Sequence, residues 1–526
     1  MASASLMAGA SATAPATSVK KGHPVPSTKL PSVETVGLPG IEIVSQAPRG
    51  ADHVVVGLVG EQARLVGLPA EAEKAARPFG SVLELATQLG ASSEAGSVTV
   101  LPKLDQPLVV VGLGTDEPSP EQVRRSVGAA VRVACERAKD RAVHVAVSLE
   151  LAEPELLRAA AEGAVLGSYQ FAKLGTQPAE RLSKVSVVST LAGAKAKQAV
   201  ADAEAISRAV LLARDWINTP ANLLYPQTFA DQAREMARGA RIDVEVLDEG
   251  ELKRQGFGGI LAVGGGSERP PRLVRLDYKP RSARSHLVLV GKGITFDTGG
   301  LNLKPAEGMY TMKCDMSGAA AVLAATRAIA ELGLDVHVTC YASMAENMPS
   351  GSSYRPSDVI TMYGGQTVEN VNSDAEGRIV MADALARSQA DKPDLVVDVA
   401  TLTGACMVAL GLRTAGLMSS DDATADLVLD AAEVAGEEFW QLPIPGHIRK
   451  ELDSKVADMR SGGSRYGGAM TAAAFLQRFV AEDTAWAHLD IAGPAFNSEA
   501  PYDYVPTGGT GAAVRTLVEL ARSLQH

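Results

Sequence analysis

One pattern runs through the chain: short, almost unbroken apolar runs alternate with longer stretches of helical periodicity. "HVVVGLVG" (53–60), "PLVVVGLG" (107–114), "AVHVAVSLE" (142–150) and "KVSVVSTL" (184–191) read as strands. "EQVRRSVGAAVRVACERAK" and "ELLRAAAEGAVLGSYQF" read as helices between them. The second half repeats the alternation with stronger runs, "HLVLVGKG", "HVTCYASM", "DLVVDVATLTG" and "AWAHLDIAG". A strand apolar at every position needs cover on both faces, which crossover helices supply. The expected fold is therefore α/β, in two domains, each a mixed sheet flanked by helices, with the chemistry in the larger C-terminal one. Residues 194–218 read as one long helix, stopped by "TPANLLYP" and its two prolines. The expected division is a tail at 1–35, an N-terminal α/β domain at 36–190, a linker helix at 194–218 and a catalytic α/β domain at 219–526.

A chain of 526 residues can hold these domains. The tail is rich in Ala, Ser, Thr and Pro, and its lysines follow its weakly apolar part. That order suits a disordered segment better than a secretory signal, and the lack of arginine speaks against a transit peptide. A net charge of -11 gives no reason to expect nucleic acid or an anionic membrane as the main partner. The most apolar charge-free stretch, 399–412, is too short to span a membrane. Cys135, Cys314, Cys340 and Cys406 form no C-x-x-C pair, which fits a reducing, cytoplasmic setting.

In open α/β sheets ligands bind beyond the carboxyl ends of the strands. After "HLVLV" comes "GKGITFDTGGLNLKP", with Lys292, Asp297 and Lys304; "YTMKCDMSGAA" adds Asp315 at the start of a helix. "VENVNSDAEGRIVMADALA" adds Asp374, Glu376 and Arg378, separated by single residues. In an extended chain these three would share a face, whereas on a helix Asp374 and Glu376 would point nearly opposite ways. Alone, the stretch reads as a solvated loop capping the next helix. Together the four acids total four negative charges, which two divalent cations would balance. Lys304 and Arg378 remain for a substrate oxygen or an anion, and helix N-termini such as that near Arg378 favour anions. There is no G-x-S-x-G and no H-E-x-x-H, "VGKG" lacks the glycine of a phosphate loop, and the histidines show no ligand spacing. His337 and His488 read as satisfied core residues. The residues alone favour a carboxylate-rich dimetal hydrolase.

"NSDAEGR" closely resembles the N-T-D-A-E-G-R signature of the leucine aminopeptidase family, the dimetal cytosol aminopeptidases (family M17). "VGKGITFDTGGLNLKP", "KCDMSGAA", "AENMPSGSSYRPSDV", "DVATLTGAC" and "WAHLDIAGPA" look like further family blocks in the family's order. The resemblance is strong from about residue 213 to the C-terminus and rests on architecture and length before it. It implies a metalloexopeptidase that releases N-terminal residues, preferring leucine and similar apolar ones, through a two-metal-activated water. It assigns one ion to Asp297, Asp374 (side chain and carbonyl) and Glu376, and the other to Lys292, Asp297, Asp315 and Glu376. Lys304 would polarise the scissile carbonyl and Arg378 would hold a bicarbonate. Thr401, Leu402 (by its carbonyl) and Gly404 would line the substrate site; Met312, Asn372 and Ala492 would form the side-chain pocket. Ser373 and Ile379 depart from the usual Thr and Leu, with little effect expected. Mn or Zn are the expected ions, Mg or Co being possible, and peptide substrates and a homohexamer are the expected partners. The alternatives are a dimetal phosphoesterase, which would ordinarily recruit histidines, and a DNA-binding or regulatory role, which some family members carry.

Overall fold

The computed structural model describes Leu30 and residues 36–101, 104, 106–139, 141–172, 180–464 and 466–525. The expected tail lies outside them except for Leu30, which packs partly buried against the core. The strands are β1 (Gly40–Val44), β2 (His53–Val59), β3 (Arg64–Val66), β4 (Val98–Leu101), β5 (Leu108–Gly114), β6 (Val143–Leu151) and β7 (Leu182–Ser189). They continue with β8 (Asp243–Leu247), β9 (Arg272–Tyr278), β10 (His286–Asp297), β11 (His337–Asn347), β12 (Val359–Thr361) and β13 (Thr367–Glu369). Then come β14 (Leu395–Ala400), β15 (Ala415–Ser419), β16 (Phe439–Gln441), β17 (Met459–Arg460) and β18 (Ala485–Asp490).

The first sheet runs β1-β7-β6-β2-β5-β4, with β3 paired to β2. Its β1, β7, β6, β2 and β5 are parallel neighbours, and β4 joins antiparallel. The second sheet runs β16-β15-β18-β14-β10-β11-β9-β8, with parallel pairing from β18 to β11 at its centre. Both are mixed sheets flanked by helices, as the apolar runs require.

Double-sided burial is visible residue by residue on β10. Leu287 and Leu289 enter one core with the helix Ser317–Leu332, while Val288 and Val290 enter the other with the helix Glu376–Ser388. Each fully buried side chain of this kind contributes about 1.5–3 kcal/mol. The helix Gly193–Asn218 joins the two halves: Ala196 and Ala199 pack into the core of the first sheet, and Ile206 to Ile217 into that of the second. A small sheet, β12-β13-β17, sets the loop at Ser461 beside Val371, whose N–H donates to the Ser461 hydroxyl at 3.0 Å. Among the described residues no helix is long and apolar enough to cross a membrane.

Candidate metal centre and substrate site

The carboxyl ends of the central strands supply the site. Lys292 and Asp297 lie on β10, Asn347 ends β11, Thr401 follows β14, and Asp490 ends β18. Asp315 follows the short turn Met312–Cys314, two residues before the helix Ser317–Leu332.

Asp374 and Glu376 converge, but not by the extended geometry expected from their spacing. Ser373–Ala375 is a 3-10 turn that runs straight into the helix beginning at Glu376. The Asn372 side chain caps the turn by accepting the Asp374 N–H at 2.9 Å. Ala375, with φ -114° and ψ 31°, breaks the helical path between the two acids. One carboxylate oxygen from each of Asp297, Asp374 and Glu376 then lies within 4.8 Å of the others. Arg378, a further half-turn along the helix, donates instead to the Ser461 carbonyl at 2.9 Å. The shared face expected for all three residues is thus replaced by a turn that gathers two and sends the third to a neighbouring loop.

Two ammonium groups stand among the acids. Lys292 Nζ lies 2.9 Å from both Asp315 Oδ1 and Glu376 Oε1, and donates to the Thr401 carbonyl at 3.0 Å. Lys304 Nζ lies 2.9 Å from Asp297 Oδ2 and 2.6 Å from Asp374 Oδ1. Four carboxylates against two lysines leave two negative charges uncompensated. Burial pushes the Asp315 and Asp297 carboxyls well above the usual range, Lys292 beside Asp315 and Lys304 beside Asp297 offsetting this only in part. Burial also opposes the charge on Lys292, but attraction to Asp315, Glu376 and Asp297 outweighs it and holds the ammonium above its ordinary pKa. Asp315 Oδ2 and Glu376 Oε2 are buried with no hydrogen-bond partner among the described residues. Buried carboxylate oxygens left bare are costly unless a cation meets them. The donor set, all oxygen plus one amine, fits hard or borderline divalent ions.

Asn347 and Tyr354, which the sequence reading did not single out, hold this cage together with Ser373. Asn347 Nδ2 donates to Asp297 Oδ1 at 2.8 Å and to the Ser373 carbonyl at 2.9 Å. The Ser373 hydroxyl donates to the Gly299 carbonyl at 2.7 Å, and the Tyr354 hydroxyl donates to the Ser373 carbonyl at 2.8 Å. Asn347 could have been found from strand ends alone, because it pairs in register with Asp297. Ser373 makes its bonds through a hydroxyl that Thr would also supply, so its departure from the family pattern leaves the cage intact.

The expected substrate residues fall on the same edge. Thr401 Oγ1 donates to Asp315 Oδ1 at 2.7 Å. Leu402 and Ala492 each donate a backbone N–H to Asp490. Gly404 opens the helix Gly404–Leu410 with open space where a Cβ would stand. Met312 begins the turn before Asp315, and Asn372 is the exposed cap before Asp374. Burial lowers the Arg378 pKa to about 10, so the guanidinium is still charged at neutral pH, and its Nε is buried without a partner among the described residues. His337 bonds Asp277 at 3.0 Å, as a satisfied residue should. His488 does so only in part: Nδ1 pairs with Asp398 at 2.5 Å, but Nε2 is buried with no partner among the described residues.

A carboxylate cage with lysines at the carboxyl edge of an α/β sheet places the chain in the class of metal-dependent hydrolases. Comparison with known proteins narrows the class. The profile of the cytosol aminopeptidase family, catalytic domain, matches residues 211–518, and that of its N-terminal domain matches 55–178. The chain therefore belongs to the cytosol aminopeptidase family and is a metal-dependent aminopeptidase. A probable cytosol aminopeptidase of Cutibacterium acnes is 54% identical over 484 residues, covering 91% of this chain and 95% of the relative. One from Streptomyces coelicolor is 45% identical over 518 residues, covering 93% and 98%. Among solved structures, the bottromycin maturation enzyme BotP in complex with Mn has a TM-score of 0.80 at 41% identity, covering 91% of this chain and 100% of that one. A tomato leucine aminopeptidase mutant has a TM-score of 0.82 at 32% identity, covering 92% and 96%.

Proposed function

We propose that the enzyme releases leucine and similar apolar residues from the free N-termini of peptides, using two divalent ions per subunit. The observation that carries this reading is the convergence of Asp297, Asp374 and Glu376 within 4.8 Å, with Asp315 joined to Glu376 through Lys292. Asp297, Asp374 and Glu376 would hold one ion, and Lys292, Asp297, Asp315 and Glu376 the other. The ions, when bound, supply an activated water and Lewis-acid polarisation of the scissile carbonyl. Mn or Zn are the proposed ions, with Mg or Co also compatible with these donors.

The chain's own groups do the rest. Lys304, at the outer rim of the cage, presents its ammonium to the substrate carbonyl. Arg378, charged and near a helix N-terminus, would hold the bicarbonate that the family resemblance implies. Thr401, Leu402 and Gly404 orient the peptide backbone, and Met312, Asn372 and Ala492 bound the side-chain pocket. One methylene more or less in such a pocket is worth about 1–3 kcal/mol of selectivity. The proposed division is an N-terminal domain at 36–190, a linker helix at 194–218 and a catalytic domain at 219–526. A homohexamer in the cytoplasm is the proposed assembly and setting, supported by the family resemblance and the relatives' names. Neither the fold nor the relatives support the phosphoesterase or DNA-binding alternatives.

The test is leucine release from a short Leu-initiated peptide and its N-acetylated twin, after chelation and resupply of Mn or Zn. Cleavage of the free-amine peptide alone, and only with metal restored, is expected. Cleavage of the acetylated twin at a similar rate would contradict the role of the free amine.

A further inference from the structure

The block "WAHLDIAGPA" ends β18 with Asp490, an acid with no part in the metal cage. Its side chain is fully buried, and a buried carboxylate is tolerated only where donors surround it. Here the donors come from two short segments. Oδ1 accepts the N–H groups of Leu402 at 3.2 Å, Thr403 at 3.4 Å and Ala492 at 3.2 Å. Oδ2 accepts the Thr403 hydroxyl at 2.7 Å. Asp490 pairs in register with Ala400, the last residue of β14, so its carboxylate stands beside the start of the 401–403 loop.

The first residue of that loop is also tied to the cage, through Thr401 Oγ1 on Asp315 and the Thr401 carbonyl on Lys292. The first peptide unit, Thr401–Leu402, is thus gripped on both sides: its carbonyl by Lys292 and its N–H by Asp490. The second unit, Leu402–Thr403, has its N–H drawn toward the same buried carboxylate. A trans peptide is planar, with N–H and C=O pointing in opposite directions. Drawing the Thr403 N–H into the core therefore turns the Leu402 carbonyl away from Asp490. The Ala492 N–H on the same Oδ1 fixes Ala492 relative to the loop.

We propose that Asp490 is the positioning residue of the substrate cleft. It aims the Leu402 carbonyl at the substrate and sets the separation between the Leu402 loop and Ala492, and so the width of the side-chain pocket. This rests on the proposed roles of Leu402 and Ala492, which is why the test has one arm that does not depend on turnover. The Asp490 carboxylate bonds Leu402, Thr403 and Ala492 and none of the cage residues, so its loss should act on substrate binding more than on the chemical step.

The experiment compares Asp490→Ala and Asp490→Asn with the wild type, all loaded with Mn. Asn keeps an oxygen for the N–H groups and offers an amide to the Thr403 oxygen; Ala leaves every donor bare. For Asp490→Ala, KM for a Leu-initiated peptide should rise at least ten-fold while kcat falls less than three-fold. The preference for Leu- over Ala-initiated peptides should shrink several-fold, with bound Mn unchanged. Asp490→Asn should restore KM to within about three-fold. In hydrogen exchange, the amides of Leu402, Thr403 and Ala492 should lose protection together in Asp490→Ala and regain it in Asp490→Asn. A purely structural role predicts a lower Tm with unchanged KM and unchanged preference, and that result overturns the proposal. Lost protection with wild-type KM also overturns it while leaving the aminopeptidase reading intact. A wild type that binds Mn yet releases no residue from any free-amine peptide overturns both.

Discussion

Lys292 concentrates the chemistry of the cage. Its ammonium is almost wholly buried, touches Asp315 and Glu376, and is held charged because three acids outweigh the cost of burial. To act as a ligand it must release that proton, and only adjacent metal charge can bring the pKa down. Guanidinium cannot make this exchange. Lys292→Arg should therefore bind at most one ion per subunit and lose at least a hundred-fold in turnover, as metal analysis beside an initial-rate assay would reveal. Lys304 sits farther out, about a fifth exposed. Lys304→Ala should lower kcat at least ten-fold with two ions still bound, and loss of an ion instead would reassign it to the cage. Gly377 is where the helix passes Lys292: a Cβ there would lie 2.6 Å from Cε and 2.7 Å from Nζ. Gly377→Ala should displace the lysine and cut activity as severely as Lys292→Arg, with a circular dichroism spectrum still that of the folded protein.

At the scale of elements, the strands could be read from the sequence because burial on both faces leaves an unbroken apolar run, as in Leu287 to Val290. The long helix could be read because two prolines stop it. The turn at 373–375 could not, since its shape depends on Asn302, Asn347 and Tyr354, which are 19 to 71 residues away in sequence. No local spacing rule contains those contacts, so a regular-period argument put Arg378 on the same side as Asp374. In the N-terminal half the helices Pro120–Ala138 and Pro154–Ser168 share a buried ion cluster. Arg124 Nε lies 2.6 Å from Glu162 Oε2, and Arg158 Nε lies 3.2 Å from Glu162 Oε1. Burial opposes the Glu162 charge, but Arg124, Arg158 and Arg515 outweigh it and hold its pKa below the ordinary value. Glu162→Gln removes the acid that Arg124 and Arg158 share, leaving Arg124 with Glu121 and Arg158 with Glu519, and should cost about 1–3 kcal/mol, read from the shift in urea midpoint. Because the folded pKa is depressed, this contribution is complete above the unfolded value of about 4.3 and fades as pH falls through the folded one. The gap between wild type and Glu162→Gln should therefore be widest at neutral pH and shrink progressively as pH falls below the unfolded value. A gap independent of pH would mean that the glutamate charge is not what stabilises the helix pair.

For the whole molecule, the two sheets are joined by the helix Gly193–Asn218, and the metal cage lies at the carboxyl ends of the larger sheet's central strands. Four carboxylates facing two lysines make the folded state bind divalent ions that the unfolded chain does not hold together. Ligand linkage then adds about 2.7 kcal/mol for each site at a hundred times its Kd. Chelation should lower Tm by several degrees and readdition of Mn should restore it, as calorimetry would record; a Tm indifferent to chelator would mean that the acids are stable without ions. Two ions are expected in this cage, with catalysis needing both. The most direct measurement titrates the stripped protein with Mn, following bound metal per subunit and leucine release in the same samples. Saturation is expected at two ions, with turnover rising as the second site fills. Saturation at one ion with full turnover would make the protein a single-metal enzyme and rule out the two-ion cage.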